Sequence, residues 1–259
     1  MSKMLAISTV MFFMLSTGGM TQDRSAFESK HFINDGDTLL YRILWPENFD
    51  KSKKYPLVIF LHGAGERGND NKKQLVHGSS LFMEKRSNHP AIVIFPQCPK
   101  EDYWSSIKSR YNNGEREFYF EEDSEPTNAL KNVSDLLDAL LHETFVNTRQ
   151  VYIAGLSMGG MGTYELVGLR PETFAAAFAI CGAGNPKMAK KYAEKVPFWI
   201  FHGAKDDVVP PRGSEVMVEA LKKEGGDVKY TLYPNANHNS WDSAFAEPEL
   251  LPWLFSNKK

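Results

Sequence analysis

Ser157, Asp206 and His238 are residues of the types that together make an alcohol nucleophilic, and they occur in that order along the chain. A serine hydroxyl attacks a carbonyl readily only when a base removes its proton, and an imidazole is the better base when a carboxylate orients it and balances its charge. Ser157 stands in Gly155-Leu156-Ser157-Met158-Gly159, followed by Gly160 and Gly162. Asp206 stands in His202-Gly203-Ala204-Lys205-Asp206-Asp207-Val208-Val209-Pro210, where Asp207 is a rival for the same role. His238 stands in Pro234-Asn235-Ala236-Asn237-His238-Asn239-Ser240-Trp241. A fourth segment, Leu61-His62-Gly63-Ala64-Gly65-Glu66-Arg67-Gly68, carries glycines that leave backbone N–H groups free to face an anion. The candidate donors to a tetrahedral oxyanion are the N–H groups of Ala64, with Gly65 as the alternative, and of Met158, next after the serine. His62 and His202 are expected to pack and hydrogen-bond the loops, while His31, His77, His89 and His142 have no partner pattern. No short-spaced set of ligands points to a zinc site.

Such groups are useful only if separate elements bring them to one place. Val151–Ala154 is a short apolar run before the serine, and Met158–Leu169 after it suits a helix, so Ser157 falls at a sharp strand-to-helix turn. Further apolar runs occur at Pro56–Leu61, Ala91–Phe95, Ala175–Ile180, Pro197–Phe201 and Val228–Tyr233. Most lack polar alternation, which suits a parallel sheet covered on both faces. Ala129, Val133, Leu136, Leu137, Leu140 and Leu141 recur at helical spacing, giving a crossover helix over Pro126–Phe145, and a second is expected at Gly213–Lys223 before Gly225-Gly226. The chain opens on a hairpin pattern, Phe27–Ile33 and Thr38–Leu44 around Asp35-Gly36. The expected fold class is α/β, a mostly parallel twisted sheet with right-handed crossovers. The loops carrying Asp206 and His238 then follow strand C-terminal ends, where ligands bind in such sheets.

Composition narrows the classes. With 259 residues, 42% apolar, 24% charged and a formal net charge of −2, the chain can bury a sizeable core and has no dense basic run for a nucleic-acid partner. Lys3 followed by apolar Met4–Leu15 and then Ser16-Thr17-Gly18-Gly19 has the order of a secretory signal, expected over residues 1–21. One domain is expected over residues 24–259. The chain is thus expected to be secreted or periplasmic, with no stable membrane anchor once the leader is removed.

The four segments together resemble the α/β-hydrolases, and more narrowly the bacterial carboxylesterases and prolyl-oligopeptidase-like serine esterases, over about Lys54 to Phe255. The resemblance implies about eight strands with an N-terminal antiparallel hairpin, helices on both faces, and an acyl-enzyme on Ser157 formed with no cofactor. Its strand order would place two strands between those next to Cys98 and Cys181, about 14 Å apart. A disulfide needs Cα atoms within about 7 Å, so two free thiols are expected. Cys181–Val196, where large lids are usually inserted, is too short for one. The long segment Pro99–Pro126, with Tyr103, Trp104, Tyr111, Phe118, Tyr119 and Phe120, reads either as a packed surface loop or as an aromatic wall beside the serine. Trp104, Gly65 and Trp241 are the expected substrate contacts, and the expected partner is a small-molecule or polysaccharide-linked ester, such as an acetyl or feruloyl ester. A serine peptidase and a non-catalytic binding protein on the same fold are the rival classes.

Overall fold

The computed structural model describes residues 24–259 apart from Asp35, Glu122 and Asp123, so the leader expected over residues 1–21 lies outside the described residues. β1 (Phe27–Asn34) and β2 (Asp37–Leu44) form the expected antiparallel hairpin, with Asn34 opposite Asp37 and Gly36 at φ 88° in the turn. There follow β3 (Tyr55–Leu61), α1 (Ser79–Glu84), β4 (Ile92–Gln97), β5 (Lys108–Asn112) and β6 (Glu115–Tyr119). Next come α2 (Asn128–Leu141), β7 (Val146–Leu156), α3 (Met158–Leu169), β8 (Ala176–Ile180) and β9 (Phe198–Gly203). The chain continues with α4 (Arg212–Lys223), β10 (Val228–Tyr233), α5 (Trp241–Phe245) and α6 (Leu250–Ser256).

Eight strands form one sheet in the order β1-β2-β4-β3-β7-β8-β9-β10. From β4 to β10 all neighbours are parallel, and β2 joins β4 antiparallel. Side chains of β3 alternate between two cores: Leu57, Ile59 and Leu61 pack towards α2, α3 and α4, while Val58 and Phe60 pack towards α1 and α6. Each such side chain, fully removed from water, contributes about 1.5–3 kcal/mol. Both faces being covered explains why the strand sequences are apolar runs rather than alternating ones.

Cys98 follows β4 and Cys181 follows β8, with β3 and β7 between, and both thiols are free and buried. Burial pushes both thiols above their ordinary pKa. Between Cys181 and Val196 lies a short 3-10 helix at Pro186–Lys191, and among the described residues no large lid covers the sheet rim.

The segment 99–126 departs from its description as a loop. It contains a separate two-stranded sheet, β5 and β6, in register from Lys108 opposite Tyr119 to Asn112 opposite Glu115. Asn113 at φ 50° and Gly114 at φ 85° make its turn, and this Asn-Gly pair is the signal that could have found it. No residue of β5 is buried, so the strand carries no apolar alternation to read. α2 starts two residues after Pro126, where Thr127 Oγ1 accepts the Leu130 N–H at 3.3 Å and caps the helix.

Candidate active site

Leu156 is the last residue of β7 and Met158 the first of α3, so the chain must reverse at Ser157. It does so at φ 52°, ψ −117°, a conformation that strains any residue with a side chain by about 1–3 kcal/mol. The strain is held by a bond from the Ser157 N–H to the Ile180 carbonyl at 2.8 Å and by the close packing of α3 on the sheet. That packing requires glycine: a Cβ on Gly159 would lie 1.9 Å from the Leu61 carbonyl oxygen. The result is a serine whose Oγ stands at the C-terminal rim of the strands.

Three loops meet there. His238 Nε2 lies 3.0 Å from Ser157 Oγ, and His238 Nδ1 lies 2.8 Å from Asp206 Oδ2. The carboxylate can only accept, so Nδ1 carries the proton, and the Nε2 lone pair faces the serine hydroxyl. Asp206 is the acid in contact with the ring, whereas its rival Asp207 is exposed. Burial alone would raise the Asp206 pKa. Hydrogen bonds from His202, His238 and the Val209 N–H outweigh it and hold the carboxyl well below its ordinary range. The Val208 and Val209 N–H groups both donate to Oδ1 at 2.9 Å. The His238 loop reaches the acid loop because residue 203 is glycine; a Cβ there would sit 2.2 Å from the Asn237 carbonyl oxygen.

His202 sits beneath the acid and is fully buried. Its Nε2 faces two acceptors, the Val209 carbonyl at 2.8 Å and Asp206 Oδ2 at 3.2 Å, so this nitrogen carries a proton. Nδ1 meets Ser214 Oγ at 2.7 Å. His62 is likewise buried, with Cys98 N–H donating to Nε2 at 2.9 Å and Nδ1 donating to the Gly63 carbonyl at 2.6 Å.

Ala64 begins a single 3-10 turn, Ala64–Glu66, and Met158 begins α3. The first N–H groups of a helix have no partner in its own ladder, so both are available to an anion beside Ser157. The loop lies against the serine: a Cβ on Gly63 would be 3.8 Å from Ser157 Cβ. Residues outside the expected set hold this turn. Arg67 donates from Nε to the Ala64 carbonyl at 3.0 Å and from Nη1 to the Asp102 carbonyl at 3.1 Å. Gln97 donates to the Glu66 carbonyl at 3.2 Å and to Asp70 Oδ1 at 2.9 Å. Burial lifts the Glu66 carboxyl above its ordinary range, against the hydrogen bonds it accepts from the Gly63 and Glu66 N–H groups. Only the polar residues crowded after the glycines, Glu66, Arg67 and Asp70, hinted at this scaffold in the sequence.

The expected substrate contacts separate. Gly65 is exposed on the rim with open space where a Cβ would stand. Trp241 is half-buried, its ring edge-on to His238 at 5.5 Å and tilted against His77 at 5.0 Å. His77 in turn stands 3.9 Å from Glu66, so a histidine without any sequence pattern joins the site's border. Trp104 is a correction: it is fully buried, 5.3 Å from the His62 ring, with its Cβ and carbonyl packed where a Cβ on Gly162 would collide. Its indole packs beneath the His62 loop and offers no surface to a ligand.

The family model described as phospholipase/carboxylesterase matches residues 49–247. A solved thermostable esterase is 34% identical with a TM-score of 0.80, over 91% of this chain and 64% of that one. The carboxylesterase SOBER1 of Arabidopsis thaliana is 25% identical over 70% of this chain and 82% of its own length. A bifunctional acetylxylan esterase/xylanase of Neocallimastix patriciarum is 37% identical over 108 residues, which are 40% of this chain and 16% of that enzyme. The chain therefore spans less than two thirds of the latter enzyme and of the esterase structure. A ferulic acid esterase at 16% identity and TM-score 0.66 shares the fold. Sheet order, strand-to-helix turn and sequence match agree: the chain belongs to the phospholipase/carboxylesterase family of α/β-hydrolases.

Proposed function

We propose that the chain hydrolyses carboxylic esters through an acyl-enzyme on Ser157. The observation that carries this is the continuous relay from Asp206 to His238 to Ser157, at 2.8 and 3.0 Å, ending on a strained serine at the open rim of the sheet. Ser157 Oγ attacks the ester carbonyl carbon while its proton passes to His238 Nε2, and the Ala64 and Met158 N–H groups receive the negative oxygen. His238 then gives the proton to the leaving alcohol as the C–O bond breaks. Water enters, loses a proton to the same nitrogen, and releases the acid and the free serine. Asp206 remains ionised at working pH and so keeps accepting the His238 Nδ1 proton through the cycle.

The acyl groups proposed are acetyl or feruloyl esters on plant polysaccharide. Support comes from a rim over which the described residues place no large lid, leaving room for a polymer, and from the similarity to an acetylxylan esterase. The charged-then-apolar start of the chain supports export, and among the described residues no helix is long and apolar enough to cross a membrane. The test is turnover of p-nitrophenyl acetate, acetylated xylan and methyl ferulate, beside an aminoacyl anilide, with Ser157→Ala as control. Ester turnover and fluorophosphonate labelling that both vanish in Ser157→Ala are expected; cleavage of the anilide alone would make the chain a peptidase. Undiminished labelling of Ser157→Ala would remove Ser157 from the mechanism.

A further inference from the structure

The β5–β6 hairpin is fastened to the candidate active site. Phe118 packs over Met161, Ala183 and Val209. Met161 lies in the first turn after Ser157, its N–H bonded to the Ser157 carbonyl at 3.0 Å, and the Val209 N–H holds Asp206. Arg116 donates to the Val208 carbonyl at 3.3 Å and to Ser109 Oγ at 3.2 Å, with its guanidinium 4.8 Å above the Phe118 ring. One side of the hairpin is thus a continuation of the acid loop.

Two adjoining cavities open along this side. One of about 290 Å³ is walled by Arg110, Arg116 and Arg212 with Glu117. The next, of about 690 Å³, shares Phe118, Tyr119, Gly184 and Val216 with the first and adds Lys187, Lys190, Lys191 and Glu121. Six cations against two carboxylates line this strip, on a chain whose formal net charge is −2. Two of the arginines are engaged at the surface: Arg110 with Glu117 at 3.0 Å, and Arg212 with Glu219 at 2.6 Å and Glu215 at 3.7 Å. Such exposed pairs are worth little and exchange readily for a ligand anion. Arg116 has no carboxylate partner among the described side chains. Tyr119, at 37% exposure, lines both cavities with the Arg110 guanidinium 5.3 Å over one side of its ring, and offers the groove an aromatic face.

Exposed aromatic faces suit the C–H face of a sugar ring, and guanidinium forks suit a carboxylate. We propose that this groove binds uronate units of an acidic polysaccharide and presents the ester groups of that polymer to Ser157. The delivery step rests on the ester-hydrolase function proposed above; the binding step does not. Glu117 and Glu121 interrupt the row of cations, which fits a chain whose carboxylates are separated by neutral sugars. A nucleic-acid backbone, charged at every step, calls for an unbroken row.

The experiment uses the full chain carrying Ser157→Ala, so that no ester is consumed, with affinity electrophoresis and calorimetry on polygalacturonate, neutral arabinoxylan and single-stranded DNA. Polygalacturonate is expected to bind at least about tenfold more tightly than arabinoxylan, and 0.5 M salt is expected to abolish the difference. Adding Lys190→Gln and Lys191→Gln, which touch neither the acid loop nor the hairpin turn, is expected to weaken polygalacturonate binding about tenfold with an unchanged melting temperature. Arg116→Gln is expected to weaken polygalacturonate binding as well, and Arg116→Lys to restore part of it. Equal binding of arabinoxylan, tighter binding of DNA, or no retention by polygalacturonate overturns the proposal. Failure of the hydrolase function would appear separately, as absent p-nitrophenyl acetate turnover by the chain with Ser157 intact.

Discussion

Two parallel strands of the sheet end in the same dipeptide, β3 in Leu61 before His62-Gly63 and β9 in His202-Gly203, and the two ends are used differently. Both imidazoles are buried, at 1% and 0% exposure. Among the described residues His62 bonds to backbone alone, tying the loop after β3 to Cys98 beyond β4. His202 bonds to Ser214, to the Val209 carbonyl and to the carboxylate of Asp206, so it steadies a charge as well as a loop. The glycines differ too. A Cβ on Gly203 would strike backbone, the Asn237 and Ala236 carbonyls at 2.2 and 2.5 Å, whereas one on Gly63 would meet the side-chain ends of Leu156 and Glu66 at 2.9 and 3.0 Å. One sequence signature thus serves two tasks, and the neighbouring strand's loop decides which.

The sharpest test of that contrast lies at the charge held by the second end. Asp206→Asn should lower kcat on the order of 10⁴-fold, because the amide no longer fixes the imidazole tautomer. Asp207→Asn, on an exposed side chain, should change it by less than about twofold. Comparable losses from both, in steady-state kinetics on p-nitrophenyl acetate, would mean that the acid loop is misassigned.

The backbone-bonded end should show itself in stability. Burial pushes the His62 pKa down from 6.5 to about 4, so below pH 6.5 the unfolded chain takes up a proton that the folded chain refuses. Its contribution of about 3 kcal/mol is therefore fully present above pH 6.5 and is lost as the pH falls towards 4. Urea unfolding at pH 7 and pH 4 should show this loss in the parent chain and a smaller one in His62→Asn. An identical pH dependence in the two chains would contradict a buried, neutral His62.

A finer comparison substitutes alanine after each histidine. Gly203→Ala should destabilise by about 3 kcal/mol and lift the His238 loop off the acid, while Gly63→Ala should cost about 1 kcal/mol because side chains can yield. Chemical denaturation of the two variants measures the difference, and equal costs would show that the Asn237 backbone gives way as easily as the Leu156 side chain does.

Much of the architecture was legible along the chain because burial on both faces writes apolar runs that need no partner to be recognised. The nucleophile turn was equally local: a strand, two close-packing glycines and a helix start all lie between Val151 and Gly162. Asp206 and His238 could be nominated from loops after strand ends, but the choice of Asp206 over Asp207 depended on which side chain turned inward. Trp104 was misjudged because an aromatic residue in a polar segment looks the same in sequence whether it faces a ligand or lies under a glycine of the neighbouring helix. The β5–β6 hairpin escaped for the opposite reason, since a strand exposed throughout has no hydrophobic alternation.

What the amino-acid sequence determined by itself was the set of elements and the chemical types at their ends, since periodicity, glycine placement and turn residues act over a few neighbours. Tertiary structure alone decided which of two histidines after a strand would hold a carbonyl and which a carboxylate. It also decided whether an aromatic ring would line a site or support it, and that a row of arginines and lysines far apart in the chain would share one groove. Those outcomes depend on contacts between strands and loops distant in sequence, whose side chains meet only when the sheet order brings them together.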